Sequence, residues 1–280
     1  MPYLSGCHTH STHCDGKHTL REMLEAARDL GFASFGFSGH AAQGFDSSYS
    51  MTIPRQRRYF EEARALQKEP GFPRVWVGLE LDALASEEEM AEAIRNADYL
   101  LGSTHYLPTA PDGVHTAVDG RADLLRAHCD RWFGGDGLAL AEAYYRVETD
   151  FLTRIRPHVI GHFDLVRKNA AVIGLFDEND PAYRKIALAA LERAFASGAV
   201  LEVNTGGMAR GYLSTPYPTF ELLCAWREMG GEVTLASDCH DKNLLTYGYA
   251  EAEELIRKAG YRHILQLGSG DALWDAYELY

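Results

Sequence analysis

The chain has 280 residues, 46% of them hydrophobic, and a formal net charge of −13. That length suits one large domain, a (β/α) barrel of about 250 residues among the possibilities, and we expect residues 1–280 to form a single domain. So acidic a chain has no electrostatic reason to gather on nucleic acid or anionic lipid. No run approaches the roughly 18 apolar residues of a membrane span, and no signal-peptide pattern is visible. The five cysteines (Cys7, Cys14, Cys129, Cys224, Cys239) are scattered and lack CxxC spacing, which excludes a disulfide framework and a structural zinc finger. The expectation is a cytoplasmic protein with no nucleic-acid or membrane partner.

In chain order, apolar β-rich runs alternate with segments of helical period. A strand is expected at "YLSGCH" (3–8), then a helix at 19–31, a strand at "ASFGFSG" (33–39) and a helix at 54–69. Strands follow at "RVWVGLEL" (74–81) and "YLLGST" (99–104). Residues 121–156 read as two helices with no strand between them, so any barrel is irregular there. Next come strands "HVIGH" (158–162), "AVLEVNT" (199–205) and "EVTLASD" (232–238), separated by helices at 181–198 and 218–231, and a weaker strand "HILQLG" (263–268). Continuous apolar strands alternating with helices imply an α/β fold with a parallel sheet, and seven or eight such units close most economically into one barrel. The irregular stretches 41–53, 106–120 and 204–217 all follow strands, where barrel active sites are built.

Polar residues at the strand ends then stand out. The first strand ends at His8 with His10 two residues on; the others end at His40, Glu80, His105, His162, Asn204 and Asp238, with His240 following Asp238 by two. Residues at i and i+2 of extended backbone point to the same side, so His8 with His10, and Asp238 with His240, each bring two donors to one cation. A lone histidine at a strand end is usually an ordinary hydrogen-bonded residue. Ligand-type residues at the same end of six strands are not explained that way. His8, His10, Asp15, His40, Glu80, His105, His162, Asp238 and His240 make nine candidate ligands. At three or four protein ligands per catalytic ion, nine suffice for two or three divalent metals, and imidazole favours Zn, Fe or Mn over Mg or Ca.

The motifs "HTHSTHCDG", "GFSGH", "VGLELD", "GSTHYL", "GHFDLVRK", "EVNTGGMARGYLSTPYP" and "ASDCH" occur in that order between residue 3 and about 245. In this order and spacing the chain resembles the PHP (polymerase and histidinol phosphatase) superfamily, and more narrowly its histidinol-phosphate phosphatase branch. The resemblance implies a distorted (β/α)7 barrel with a trinuclear centre. It assigns His8, His10, Glu80 and Asp238 to a first metal, Glu80 with His105 and His162 to a second, and Asp15, His40 and His240 to a third. His13 is the alternative to Asp15. Glu80, Asp238 and His240 become the catalytic residues. The implied reaction is metal-dependent hydrolysis of L-histidinol phosphate to L-histidinol and phosphate in histidine biosynthesis. Clustered divalent ions suit that chemistry, since phosphoryl transfer rests on positioning and electrostatics and needs no serine or cysteine nucleophile.

Basic residues in the loops supply candidate phosphate contacts: Arg210 after the sixth strand, Arg167 and Lys168 after the fifth, and Lys17 in the first loop. Arginine forks match phosphate oxygens, and the resemblance makes Arg210 the strongest of the four. Asp82 and Asp164 are placed to orient metal ligands, and Phe45, Tyr49 and Tyr106 to wall the organic part of the substrate. The competing enzymatic readings are a PHP-type phosphodiesterase or nuclease and a general small-molecule phosphatase. From another class, a catalytically dead metal-holding barrel predicts lost ligands, and none of the nine is lost.

Overall fold

The computed structural model describes residues 4–279. β1 (Ser34–Phe37) pairs in parallel with β2 (Arg74–Val77). β3 (Leu79–Asp82), β4 (Leu100–Ser103), β5 (Val159–Ile160), β6 (Val200–Asn204) and β7 (Val233–Ala236) pair in parallel in chain order. The strand expected at 74–81 is therefore broken at Gly78. Yet backbone bonds run across the break: the Gly78 amide donates to Phe37 O (2.7 Å), the Glu80 amide to Gly39 O (3.2 Å) and the Ala41 amide to Glu80 O (2.8 Å). The break is a change of partner within one extended segment.

The first expected strand, 3–8, is the weakest part of the ring. Tyr3 lies outside the described residues, and the remainder makes single bridges, Leu4 with Phe32 and Thr9 with Cys239, in place of a ladder. The segment meets β1 with its first half and the residues just beyond β7 with its second. The amides of Ala33, Gly36 and Ser38 donate to Leu4 O, Gly6 O and Thr9 O, while those of His10 and Cys239 donate to Cys239 O and His8 O. With those bonds, seven extended segments form a TIM-like barrel.

The eighth expected strand is present but belongs elsewhere. β8 (His263–Leu267) pairs antiparallel with β9 (Trp274–Glu278), which was not expected. Its residues "WDAYE" are acidic and mostly part-exposed, so they carry no apolar run. The hairpin seals the N-terminal end of the barrel. Ser34 Oγ donates to Leu267 O and Trp76 Nε1 to Gly268 O, and Leu267 packs with Cys7, Trp76, Tyr99, Leu101, Val159 and Ala236. Tyr99 fills the interior above it. A Cβ at Gly36 or Gly78 would collide with its ring, and its hydroxyl donates to Cys7 O at 2.6 Å. Side-chain-free positions on two strands are thus what admit this ring.

Helices cover the outside: α1 (Leu20–Asp29), α2 (Ile53–Gln67), α3 (Glu87–Asn96), α4 (Ala122–Trp132), α5 (Gly137–Ile155), α6 (Arg167–Ile173), α7 (Pro181–Phe195), the short α8 (Gly206–Ala209), α9 (Phe220–Glu228) and α10 (Tyr249–Lys258). α1 and α3 open with reciprocal capping boxes, Thr19 with Glu22 and Ser86 with Glu89, which satisfy amides that the helix leaves free. Glu89 also accepts the Gly44 amide at 2.6 Å, tying the 41–53 loop to α3. α4 and α5 follow one another without a strand, as expected. No helix among the described residues is long and apolar enough to cross a membrane.

Candidate metal centre

At the C-terminal mouth of the barrel, ligand-type atoms crowd around Glu80. Its Oε1 lies 3.0 Å from His162 Nε2 and 3.5 Å from His105 Nε2. Its Oε2 lies 2.9 Å from His40 Nδ1, 3.3 Å from His8 Nε2 and 3.5 Å from His10 Nε2. Asp238 Oδ1 is 3.2 Å from His10 Nε2, 3.6 Å from His8 Nε2 and 3.5 Å from His240 Nδ1. On the outer side Asp15 reaches His10, His40 and His240 at 3.6, 3.7 and 3.2 Å. Four overlapping donor groups result: His8–His10–Asp238, His8–Glu80–His162, His40–Glu80–His105 and His10–Asp15–His40–His240. Together they comprise the nine residues expected from the sequence. His13 is not among them, because its Nε2 pairs with Glu62 on α2 at 2.9 Å.

The donor set fits divalent transition-metal ions on structural grounds. His8 Nε2, His10 Nε2 and Glu80 Oε2 are buried and have no hydrogen-bond partner among the described residues. An unpaired buried polar atom costs about 1–3 kcal/mol, and these three face one another, so a cation among them would satisfy all three. Mixed imidazole and carboxylate donors suit Zn, Fe or Mn.

Surrounding groups fix which nitrogen each ring presents. His8 Nδ1 donates to Glu202 Oε1 at 2.6 Å, and this turns Nε2 toward Glu80. Glu202 Oε2 accepts the His162 amide (2.9 Å) and the Asn204 side-chain amide (2.8 Å). Asn204 is therefore a support for Glu202, and its Oδ1 accepts the Gly206 amide at 2.8 Å. Asp82 Oδ2 accepts from the His105 amide at 3.0 Å and lies 3.1 Å from its Nδ1, while Asp82 Oδ1 accepts from Gln43 at 3.1 Å. Asp82 thus orients His105 as anticipated. Asp238 has φ 47°, a left-handed conformation that costs a non-glycine residue roughly 1–3 kcal/mol and marks functional sites.

Charge in the cluster is self-compensating. Burial would raise the Glu80 pKa, but His40, His8 and His105 outweigh it and hold the carboxyl well below its usual range. Asp238 is likewise lowered, with Arg210 and His8 overcoming burial. Burial depresses the histidines, yet Glu202 and Glu80 raise His8 well above its ordinary value, and Glu80 with Asp82 raises His105 to about 9. His10 goes the other way, to about 3, through burial and the neighbouring His240 and His40. Anionic carboxylates therefore hold protons on their histidine partners, the positions a cation would claim.

Six of the nine, Asp15, His40, His105, His162, Asp238 and His240, border a cavity of about 480 Å³ whose wall includes Lys17, Lys168, Arg210, Asp46, Tyr49 and Tyr106. A larger cleft, about 670 Å³, lies between α6 and residues 212–215 and contains none of the nine. Arg210 Nη2 donates to Asp238 Oδ2 at 2.7 Å and Nη1 to Asp238 O at 3.2 Å. Lys168 donates to Asp119 O at 2.8 Å and lies over the Tyr212 ring. Lys17 pairs with Asp241 at 3.2 Å, its side chain 68% exposed.

Two expectations are corrected. Arg167 does not face the cavity. It is buried, 2.9 Å from Asp164 and 3.1 Å from Glu178, and its Nη2 donates to Pro216 O, so a substrate finds its charge already engaged. Asp164 orients no ligand: it faces Arg167 and accepts the Thr219 amide at 2.9 Å. The turn after His162 starts α6 and carries both side chains outward. Of the aromatic candidates, Tyr49 and Tyr106 line the cavity, whereas Phe45 stacks on His115 with centroids 3.9 Å apart.

The model of the PHP domain family matches residues 6–206. The chain belongs to the PHP domain family. Among curated proteins, this PHP chain is 30% identical to a probable histidinol-phosphatase of Deinococcus radiodurans over 271 residues, 94% of this chain and 96% of that protein. It is 26% identical to a probable histidinol-phosphatase of Schizosaccharomyces pombe over 290 aligned positions, 96% of this chain and 90% of that protein. Its fold resembles that of histidinol phosphate phosphatase from Lactococcus lactis, solved in complex with zinc, L-histidinol and phosphate. The TM-score is 0.67 at 21% identity, covering 96% and 98% of the two chains.

In this PHP barrel a supporting group that the sequence reading passed over is Glu202. The signal was available: a glutamate in the middle of "AVLEVNT", an otherwise apolar and fully buried strand. A charge in such a place needs partners, and His8 and the His162 amide are those partners.

Proposed function

We propose that this PHP domain is a metal-dependent histidinol-phosphatase, hydrolysing L-histidinol phosphate to L-histidinol and phosphate. The observation that carries the reading is the single cluster of nine donor side chains, with three unpaired buried donor atoms, beside the cation Arg210. Two relatives described as probable histidinol-phosphatases, aligned over nearly the whole chain, support the substrate. Two or three divalent ions (Zn, Fe or Mn) are held by His8, His10, Glu80 and Asp238, by Glu80, His105 and His162, and by Asp15, His40 and His240. When bound, such ions polarise a phosphoryl group, acidify water and neutralise the departing alkoxide.

The chain's own residues do the rest. Glu80 and Asp238 stay anionic at the centre, and His240 closes the outer rim against Asp15. Arg210 presents a fork to the phosphate, with Lys168 and Lys17 as further cations at the cavity wall; Tyr49 and Tyr106 border the organic part. The test is phosphate release from histidinol phosphate, p-nitrophenyl phosphate and a dinucleotide diester, with Zn, Fe and Mn compared. A strong preference for histidinol phosphate is expected. Preference for the diester overturns the reading in favour of a phosphodiesterase.

A further inference from the structure

Arg210 sits in a loop whose neck is closed by two backbone bonds between Asn204 and Tyr217, at 2.8 and 2.9 Å. The amino-terminal limb is built into the metal centre through Asn204 and Glu202. The carboxy-terminal limb is held by a different device. Arg167 Nη2 donates to Pro216 O, its Nη1 lies 3.4 Å from Thr215 Oγ1, and the guanidinium lies over the Tyr217 ring, 5.0 Å from its centroid. Asp164, the partner of Arg167, takes the Thr219 amide. One buried ion pair therefore grips the chain at 215, 216, 217 and 219.

We infer that Arg167 is a positioning residue that sets the phosphate contact of Arg210 by fixing this limb of the loop. The inference rests on the phosphatase reading above. A full charge buried off the cavity needs a reason, since removing one partner of such a pair typically leaves the other stranded. Here two carboxylates, Asp164 and Glu178, face Arg167. Arg167 meets both carboxylates and the loop with one rigid fork, a geometry lysine does not reproduce. Loops that carry function gain precision when anchored in this way, and a displacement of an ångström costs up to ~10²-fold in a reaction governed by positioning.

The test is a double-mutant cycle on the metal-loaded enzyme, reading KM, kcat and inhibition by inorganic phosphate in wild type, Arg167→Met, Arg210→Ala and the double variant. Arg167→Met is expected to raise KM and the phosphate inhibition constant by roughly tenfold, with a smaller fall in kcat. In the Arg210→Ala background the same change should have little further effect, because residues acting through one contact are non-additive. Arg167→Lys, which keeps the charge beside Asp164, should show the same coupling at smaller amplitude and serves if Arg167→Met does not fold. Equal effects in both backgrounds, or unchanged phosphate inhibition in a folded Arg167 variant, overturn the inference alone. A wild-type enzyme that neither releases phosphate nor responds to it overturns the phosphatase reading, and this inference with it.

Discussion

Glu202 Oε1 stands 2.6 Å from His8 Nδ1, both side chains fully buried, in a strand and a loop separated by 194 residues. The same carboxylate holds the His162 amide, so it braces residues from two donor groups at once. Glu202→Gln would place an amide NH2 against one of these donors. Loss of such an orienting partner typically costs 10–100-fold in metal affinity, and a fall of that order is expected. Metal retained during dialysis against graded chelator would show it, and retention equal to wild type would remove Glu202 from the site.

Metal uptake should release protons. With His105 raised to about 9 and His8 well above its ordinary value, both rings are protonated in the metal-free protein at neutral pH. A cation must displace those protons. Affinity therefore rises with pH towards about 9, where His105 gives up its proton unaided. Zinc titration in weakly buffered solution, with pH monitored, measures the release. Uptake without proton release near neutrality contradicts this electrostatic account.

Gly206 lies where Arg210 and Asp238 approach each other. A Cβ there would fall 2.8 Å from Arg210 Nη2 and 2.8 Å from Asp238 Oδ2, tighter than the neighbours tolerate. Gly206→Ala should separate the pair and raise KM by roughly tenfold. Arg210→Ala should act mainly on KM as well, and phosphate-release kinetics compare the two. If Gly206→Ala behaves as wild type, the Arg210–Asp238 contact is dispensable.

Glu148 predicts a gain in stability. It is buried without a partner among the described residues, and burial, reinforced by Asp164, pushes its pKa well above the ordinary value. At low pH it is neutral whether folded or unfolded. As pH rises past its ordinary pKa the unfolded chain ionises and the native state does not, so native stability falls until the native pKa is reached. Glu148→Met removes that penalty and should stabilise by roughly 1–3 kcal/mol near neutrality, with the gain shrinking in acid. Thermal melts of both proteins across pH decide it, and a loss of stability at neutral pH would contradict it.

The barrel was legible because its strands are short, apolar and buried on both faces, and because ligand-type side chains mark their ends. Periodicity could not reveal partners. The Gly78 break is a switch of neighbour inside one apolar run, and β9 is acidic and half exposed, so neither leaves a pattern. Arg167 was misjudged for a related reason: a basic residue just after a strand reads as facing the mouth, but the turn into α6 faces it outward, into Asp164 and Glu178. Glu202 was readable in principle, as a charge inside an apolar strand.

The β8–β9 hairpin and the ring of Tyr99 stop the barrel from below. A vessel with a stopper has one opening. Substrate, phosphate and the released alcohol must all pass the rim that carries Lys17, Lys168 and Arg210, so neither product has a back door, and each competes with incoming substrate for the same passage.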